Sequence, residues 1–322
     1  KKTISLNCNI EERDIISAPN VENIYEVPVN FEKDDLGARL LNKLSIKTKQ
    51  RDLGKWKRLA AAIRSAKKPV TIGIVGKYFG SGSFILTDSY ISVLEAVKHA
   101  SYAAKHKPII EWIDSEDFEK SPAKLQVLLA YNGIIVPGGF GSRGVEGKIA
   151  AIRYCREKKI PYLGLCYGMQ LAVVEFARHV AGLRKAHTTE INPKTPYAVI
   201  DILPEQKKLV LKKHYGGTMR LGAYPAMLRN NSIARQAYKQ DLISERHRHR
   251  YEVNPKYIEK LEKKGLLFSG FSPDRRLMEI MELPRDKHPF FVGTQFHPEF
   301  KSRPLTPHPL FTEFIKAAVK NK

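Results

Sequence analysis

One cysteine in this sequence stands at a position suited to nucleophilic chemistry. The stretch PYLGLCYGMQLAVVEFA (residues 161–177) runs from a short apolar strand through Gly164, Cys166 and Gly168 into helical spacing. A strand that ends in G-x-C-x-G and turns at once into a helix is typical of a nucleophile elbow, because glycines leave room for the sharp turn. Since a helix N-terminus favours the thiolate, the pattern predicts that Cys166 is a nucleophile.

Cysteine chemistry also needs a place where negative charge can develop. The backbone N–H of Tyr167 directly follows the cysteine and is the expected first donor of an oxyanion hole. The glycine-rich turn PGGFGSRG (residues 137–144) offers a second donor, and we expect it to be Gly139. Cys155 lies in a predicted helix without a glycine corner, so it is expected to pack as a small apolar residue.

The predicted base lies far downstream, in GTQFHPEF (residues 293–300). Pro298 disfavours helical backbone at His297, so F-H-P-E is expected to be extended, with residues two apart on one side. Glu299 would then hold one imidazole nitrogen and leave the other for the proton of the thiol, which is the logic of a catalytic triad. Taken alone, H-P-E is also compatible with a polar loop after a buried strand.

A second histidine-rich stretch is ERHRHRYE (residues 245–252). Alternation along a strand would place His247 and His249 on one face and the three arginines on the other. Two histidines on one face are compatible with a metal site, but the interleaved arginines favour a structural strand.

Strands alternate with helices around these motifs. The predicted strands cover 70–75, 109–113, 133–136 and 162–165, and the predicted helices cover 88–105, 146–156 and 168–180. This alternation predicts an α/β fold with a doubly wound, mostly parallel sheet, whose ligands bind at the carboxyl ends of the strands. Shorter strands between 197 and 292 predict an antiparallel extension, and a helix over 309–318 closes the chain.

Composition limits the remaining possibilities. With 322 residues, 43% hydrophobic and 27% charged, the chain has the balance of a soluble globular protein. No apolar run approaches the ~20 residues of a membrane span, and no signal peptide is recognisable, so a cytoplasmic location is expected. Three cysteines are too few for a disulfide framework. The formal charge of +22 could attract nucleic acids, but it is dispersed and accompanies no nucleic-acid-binding motif.

Five stretches, in order, resemble one enzyme family. They are GIIVPGGFGSRGVEGKIAAIRY, PYLGLCYGMQLAVVEFAR, GGTMRLG, ERHRHRYEVN and QFHPEFKSRP. The chain resembles the triad-type glutamine amidotransferases, and most closely the C-terminal glutaminase domain of the CTP synthase family. The resemblance implies a class I glutamine amidotransferase-like domain over residues 69–322.

The residues before this domain carry a weaker pattern. IISAPNVENIYEVPVNF looks like the end of the synthetase (amidoligase) domain of that family, so residues 1–30 are predicted to be its remnant. Residues 31–68 are predicted to be a charged linker with helices near 36–44 and 55–66. Pro28 predicts an edge strand or coil at the end of the remnant. The chain is therefore expected to be part of a longer protein.

The resemblance assigns a role to each matched residue. Cys166 is the nucleophile, His297 the base and later the acid, and Glu299 the carboxylate that orients the imidazole. The residues that the resemblance assigns to glutamine binding are Gly139, Tyr167, Gly168, Met169, Gln170, Glu190 and Arg250. An arginine suits the α-carboxylate of glutamine and a glutamate suits its α-ammonium group. Leucine is more usual than tyrosine at position 167, and because only the backbone is needed there, only the pocket shape is expected to change.

The implied reaction is hydrolysis of L-glutamine through a cysteine thioester, a step that needs no cofactor. The resemblance further implies that the ammonia aminates UTP to CTP in a synthetase domain that uses ATP and Mg²⁺. GTP is the implied activator and a homotetramer the implied assembly. Lys212 and Lys213 are candidate contacts for GTP. Residues 75–90 are predicted to form a mobile cover in which Gly80 and Gly82 permit movement.

Two other functions remain open at this point. A triad amidotransferase or γ-glutamyl hydrolase of another pathway would share the chemistry but would not explain ERHRHRYEVN or the synthetase-like N-terminal stretch. A basic nucleic-acid-binding protein would explain only the charge.

Overall fold

The computed structural model describes residues 1–47, 52–77, 90–202 and 219–321. These residues divide into two compact units, Lys1–Lys67 and Lys68–Lys322. Within the described ranges, no helix is long and apolar enough to cross a membrane.

The first unit is helical. Its α-helices are α1 (Lys2–Cys8), α2 (Val27–Phe31), α3 (Leu36–Lys43) and α4 (Gly54–Ser65). The helices predicted near 36–44 and 55–66 are thus confirmed. The edge strand or coil predicted around Pro28 is wrong, because Pro28 lies in the first turn of α2, where its missing N–H costs no hydrogen bond. That this unit combines a synthetase remnant and a linker stays a prediction.

The second unit alternates strands and helices. Its strands are β1 (Pro69–Gly76), β2 (Lys107–Asp114), β3 (Gly133–Val136), β4 (Tyr162–Leu165), β5 (Ala186–Thr188), β6 (Tyr197–Ile202), β7 (Arg220–Leu228), β8 (Leu242–His249), β9 (Tyr251–Val253), β10 (Leu267–Phe271), β11 (Met278–Leu283) and β12 (Phe291–Thr294). Its α-helices are α5 (Ile91–Ala103), α6 (Ser115–Lys120), α7 (Val145–Lys158), α8 (Tyr167–His179), α9 (Ile233–Tyr238), α10 (Pro255–Glu262) and α11 (Pro309–Lys320).

The described strands form two sheets. The larger has nine strands in the order β2-β1-β3-β4-β12-β11-β10-β7-β8, and the smaller has the order β5-β6-β9. In the larger sheet, neighbours from β2 to β12 pair in parallel. The pairs from β12 to β8 are antiparallel. The predicted α/β class, with a parallel sheet and an antiparallel extension, is confirmed.

The central parallel strands are buried on both faces, whereas the edge strand β2 is largely exposed. All four residues of β3 and all four of β4 are buried, as expected when helices cover both sides of a sheet. Successive residues of β3 enter different apolar clusters: Ile134 joins residues of α7 and α8, and Ile135 joins residues of α5 and α11. The sheet is therefore held rigidly between two helical layers, and its carboxyl edge is the part left open.

A buried ionic network joins the two sheets. Arg220 on β7 donates hydrogen bonds to Glu279 on β11 at 2.9 Å and to Glu252 on β9 at 3.2 Å. Burial raises the pKa of Glu252 to about 8, although Arg220 opposes this shift. His247 and His249 of β8 lie 3.7 and 3.5 Å from these two carboxylates and share a hydrogen bond of 2.9 Å.

The predicted alternation of ERHRHRYE is confirmed over β8. His247 and His249 are buried, whereas Arg246 and Arg248 are exposed. The two histidines contact an arginine-bound pair of carboxylates, which supports the interpretation as a structural strand. In the described part of the chain, no group of three or more His, Cys, Asp or Glu side chains is arranged to hold a metal ion.

We expect Arg220→Met to destabilise the protein strongly. The substitution removes the guanidinium that both buried carboxylates contact, and loss of one partner of a buried pair costs about 3–5 kcal/mol in the free energy of unfolding. Denaturant unfolding at neutral pH measures this loss. The matched control is Arg229→Met, because the bridge from Arg229 to Glu262 is also 2.9 Å long but half exposed, and should cost at most about 1 kcal/mol. Equal effects of the two substitutions would contradict the importance of the network.

Candidate active site

The predicted nucleophile and base follow neighbouring strands. β4 and β12 pair in parallel with Leu165 opposite Thr294. Cys166 comes directly after β4, and its N–H donates to the carbonyl oxygen of Thr294 at 2.6 Å. His297 lies three residues beyond the end of β12. Because the carboxyl ends of parallel strands lie at one edge of a sheet, the fold brings two residues that are distant in sequence to the same place.

The turn at Cys166 has the predicted geometry of a nucleophile elbow. Its backbone adopts φ 49° and ψ −99°, a conformation that residues with a Cβ rarely adopt. The glycine at 168 is required, since a Cβ there would lie 2.1 Å from the carbonyl oxygen of Val136 in β3. At Gly164, a Cβ would lie 2.8 Å from the carbonyl carbon of Gly168. The thiol is thereby placed at the N-terminus of α8.

The imidazole and the carboxylate of the predicted triad are in contact. His297 Nδ1 lies 2.7 Å from Glu299 Oε1. The extended backbone predicted for F-H-P-E is wrong, however, because Pro298 begins a 3₁₀-helix (Pro298–Lys301). Proline is favoured in a first helical turn, and only His297 before it keeps non-helical angles. A short helical turn therefore produces the contact that was expected from a strand.

Neighbouring charges determine the protonation of His297. Burial lowers the pKa of His297, but Cys166 and Glu299 outweigh it through charge and hydrogen bonds and raise the pKa to about 10. With Nδ1 facing Glu299, the other ring nitrogen is left for the sulfur. The glycine at 138 permits this approach, since a Cβ there would lie 2.7 Å from His297 Cε1. The arrangement favours an imidazolium at neutral pH.

A cavity of about 740 Å³ lies over the sulfur. The predicted site residues that line it are Cys166, His297, Glu299, Gly139, Gln170, Glu190 and Arg250. Tyr167, Gly168 and Met169 do not line it: the side chains of Tyr167 and Met169 are buried elsewhere, so only backbone groups could face a ligand. Lys212 and Lys213 lie outside the described residues, as do Gly80, Gly82 and most of the predicted cover.

The polar residues around the cavity are held by the structure itself. Glu190 Oε1 accepts a hydrogen bond of 2.9 Å from the N–H of Gly141. Burial raises the pKa of Glu190, while that N–H and the charges of Lys77 and Arg250 lower it. The amide nitrogen of Gln170 likewise donates hydrogen bonds within the protein, to the carbonyl oxygen of Tyr251 at 2.9 Å and to the side-chain oxygen of Gln295 at 3.2 Å.

Gln295 is a site residue that was not predicted from the sequence. Its side chain is fully buried, and its Nε2 lies 3.7 Å from Cys166 Sγ. Gln295 also accepts the hydrogen bond from Gln170, so it connects the sulfur to α8. The available signal was its position two residues before His297 in GTQFHPEF, because residues two apart beside a strand end tend to share a side.

We expect Cys166→Ala to lower the pKa of His297. The substitution removes the largest of the contributions that raise this pKa and leaves Glu299 in place. An NMR titration of the His297 ring in both proteins measures the change. In the wild type, stability contributed by the charged ring is fully present below the unfolded pKa of about 6.5 and is lost as pH rises through about 10. An unchanged titration in the variant would mean that no thiolate lies beside the ring.

Comparisons with known proteins show the family to which the chain belongs. Residues 85–317 match the class-I glutamine amidotransferase family. The chain is 52% identical over its full length to the CTP synthase of Pyrococcus abyssi, and 49% identical over 99% of its length to that of Halalkalibacterium halodurans. It spans 58% of each of these relatives. The solved glutaminase domain of Trypanosoma brucei CTPS with bound acivicin is 38% identical, with a TM-score of 0.71 over 79% of this chain and 95% of that one. The chain belongs to the class-I glutamine amidotransferases.

Proposed function

We propose that this chain hydrolyses L-glutamine and supplies the ammonia as the glutaminase part of a CTP synthase. The observation that carries the proposal is the cluster of Cys166, His297 and Glu299 at the carboxyl ends of β4 and β12. This cluster opens into a cavity that is also lined by a half-buried carboxylate, Glu190, and a guanidinium, Arg250. Similarity to CTP synthases over the full length of the chain favours a role in CTP synthesis over that of a γ-glutamyl hydrolase or of an amidotransferase from another pathway.

The charged residues suit the two ends of the amino acid. Arg250 would bind the α-carboxylate and Glu190 the α-ammonium group, which orients the γ-amide toward the sulfur. The structural support is that both residues line the same cavity as Cys166. A small number of fixed polar groups in such a cavity is sufficient to set the orientation of a small ligand.

In the first half-reaction, the Cys166 thiolate attacks the γ-carbonyl carbon. The oxygen that becomes negative is stabilised by the N–H of Tyr167 and by the turn at Gly139. The imidazolium of His297 gives its proton to the amide nitrogen, the C–N bond breaks, and ammonia leaves. The product is a γ-glutamyl thioester on Cys166 and a neutral imidazole that is oriented by Glu299.

In the second half-reaction, water hydrolyses the thioester. Neutral His297 takes a proton from the water as its oxygen attacks the carbonyl carbon. The C–S bond then breaks, glutamate leaves, and the imidazolium and thiolate are restored. Both half-reactions use only side chains and backbone groups of this chain.

The use of the ammonia lies outside this chain. In the proposed whole protein, a synthetase domain with ATP, Mg²⁺ and UTP would convert UTP to CTP, with GTP as activator. The first unit would contain the end of that domain and the linker to it. A homotetramer and a cytoplasmic location remain part of the same proposal. The chain alone should hydrolyse glutamine slowly at best, because the synthetase domain is expected to help order the cover. It should make no CTP without that domain.

We expect Cys166→Ala to abolish glutamine-dependent CTP formation by the whole protein while ammonia-dependent formation persists. The cysteine serves only to release ammonia, so free ammonia should bypass it. CTP formation with each nitrogen donor in turn measures this, and Cys8→Ala is the control because Cys8 is an exposed thiol in the first unit. Loss of both activities in a folded variant would mean that Cys166 also supports the synthetase step.

We expect Arg250→Ala to weaken the use of glutamine. Without the guanidinium, the α-carboxylate is left unpaired. The transition state should then be destabilised by about 2–5 kcal/mol, as calculated from the fall in kcat/KM for glutamine. Ammonia-dependent CTP formation should be unaffected. Arg184→Ala is the control, because Arg184 is exposed and does not line the cavity. An unchanged kcat/KM in Arg250→Ala would remove this residue from the substrate site.

A further inference from the structure

The side chain of Tyr167 makes a contact that its sequence context did not predict. Leucine was the more usual residue at this position, and only a change in pocket shape was expected. Instead, the ring is 1% exposed and lies beneath the PGGFG turn. Its hydroxyl donates a hydrogen bond of 2.8 Å to the carbonyl oxygen of Gly141, which a leucine cannot do.

The turn held by this hydrogen bond contributes to two parts of the proposed glutamine site. Gly139, the predicted oxyanion donor, lies beside the ring: a Cβ at Gly139 would be 3.8 Å from Tyr167 Cδ1. Gly141 itself accepts from Tyr167 and donates from its N–H to Glu190 Oε1 at 2.9 Å. One residue of the turn therefore connects the tyrosine to the carboxylate proposed to bind the substrate ammonium.

The ring is also fixed from the side of α7. Lys148 is 1% exposed, and its Nζ lies 5.4 Å from the centroid of the Tyr167 ring, within the range of a cation–π contact. Gly141 has a φ of +78°, so the residue that receives the hydroxyl is in a conformation available mainly to glycine. Lys77, which donates to the carbonyl oxygen of Phe140, and Glu190 also contact this turn, and the hydroxyl adds a hydrogen bond to the carbonyl oxygen of Gly141 at its centre.

We propose that the Tyr167 hydroxyl is a positioning group for glutamine, acting through Gly141 on Glu190 and on the turn at Gly139. This inference rests on the proposed glutaminase function. It means that the residue after the nucleophile contributes through its side chain as well as through its N–H. Preorganised donors and anchors lower the cost of binding and of reaching the transition state, so the effect appears in kcat/KM.

The test compares Tyr167→Phe with Tyr167→Leu and with a matched control, in the whole protein. Tyr167→Phe keeps the ring and removes only the oxygen. The control is Tyr131→Phe, because the Tyr131 hydroxyl also donates at 2.8 Å, to Glu111, and does not line the cavity. Loss of one hydrogen bond should lower kcat/KM for glutamine by about 2- to 10-fold in Tyr167→Phe, and at least as much in Tyr167→Leu. Ammonia-dependent activity, and the kinetics of Tyr131→Phe, should stay at the wild-type level.

Two further measurements separate positioning from general packing. The double substitution with Glu190→Gln should lose less than the product of the single effects, because both changes act on the same anchor. Hydrogen exchange of the Gly141 amide should accelerate in Tyr167→Phe and not in Tyr131→Phe, since the amide is protected only while the turn is held.

The outcomes are distinguishable. Full activity in Tyr167→Phe with a loss only in Tyr167→Leu would assign the effect to the ring and overturn the inference. Unchanged exchange at Gly141 in Tyr167→Phe would overturn it as well, with or without glutaminase activity. Absence of glutamine hydrolysis in the wild-type protein would instead defeat the proposed function, and the exchange measurement would still decide whether the hydroxyl holds the turn.

Discussion

The backbone of Cys166 is held in a strained conformation, with φ at 49°, between a parallel strand and the helix that follows. Such a conformation costs on the order of 1–3 kcal/mol and persists only where the surroundings enforce it. Here the N–H of Cys166 is bonded to Thr294 of β12, and the hydroxyl of Tyr162 is bonded to the carbonyl of Gly168 at 3.0 Å. The carbonyl oxygen of Val136 also lies so close to Gly168 that the helix backbone after Cys166 is held against β3. Remaining parts of the site depend on this turn, because it places the sulfur beside the end of β12.

Buried charge organises the opposite side of the site. The network of Arg220 with Glu252 and Glu279 lies under the β8–β9 stretch, and the carbonyl oxygen of Arg246 in that stretch accepts from the N–H of His297 at 2.8 Å. The same stretch carries Arg250, the proposed carboxylate anchor. The strands that this network connects across the two sheets thus hold His297 and Arg250 in fixed positions relative to each other. Preorganisation of this kind is what electrostatic stabilisation of a transition state requires.

Local sequence patterns predicted those parts of the molecule that local physics determines. The bounds of β3 and β4 agree with the prediction because each is a short apolar run with glycine at or beside its turn. The order of strand, glycine corner and helix likewise predicted the position of Cys166. At Pro28, proline was taken to indicate an edge strand or coil, although it fits a first helical turn. At Pro298, the non-helical backbone expected at His297 is present, but it was extended to the residues after it, where a helical turn begins. For Gln295, the only signal was its position two residues before His297, and its contact with Cys166 was not encoded. The role of the Tyr167 hydroxyl could not be assigned, since its partner Gly141 belongs to another element and no spacing encodes that contact.

We propose that this fold activates one thiol, Cys166, for attack on the γ-carbon of glutamine. The most direct measurement is peptide mapping after treatment with a γ-electrophilic glutamine analogue, with and without L-glutamine as competitor. Cys8 and Cys155 are internal controls, because one is an exposed thiol and the other a buried thiol whose pKa is raised by burial. We expect a single adduct on the peptide that contains Cys166, and we expect L-glutamine to suppress it. Labelling of Cys8 in preference to Cys166, or labelling that L-glutamine does not reduce, would contradict this account of the site.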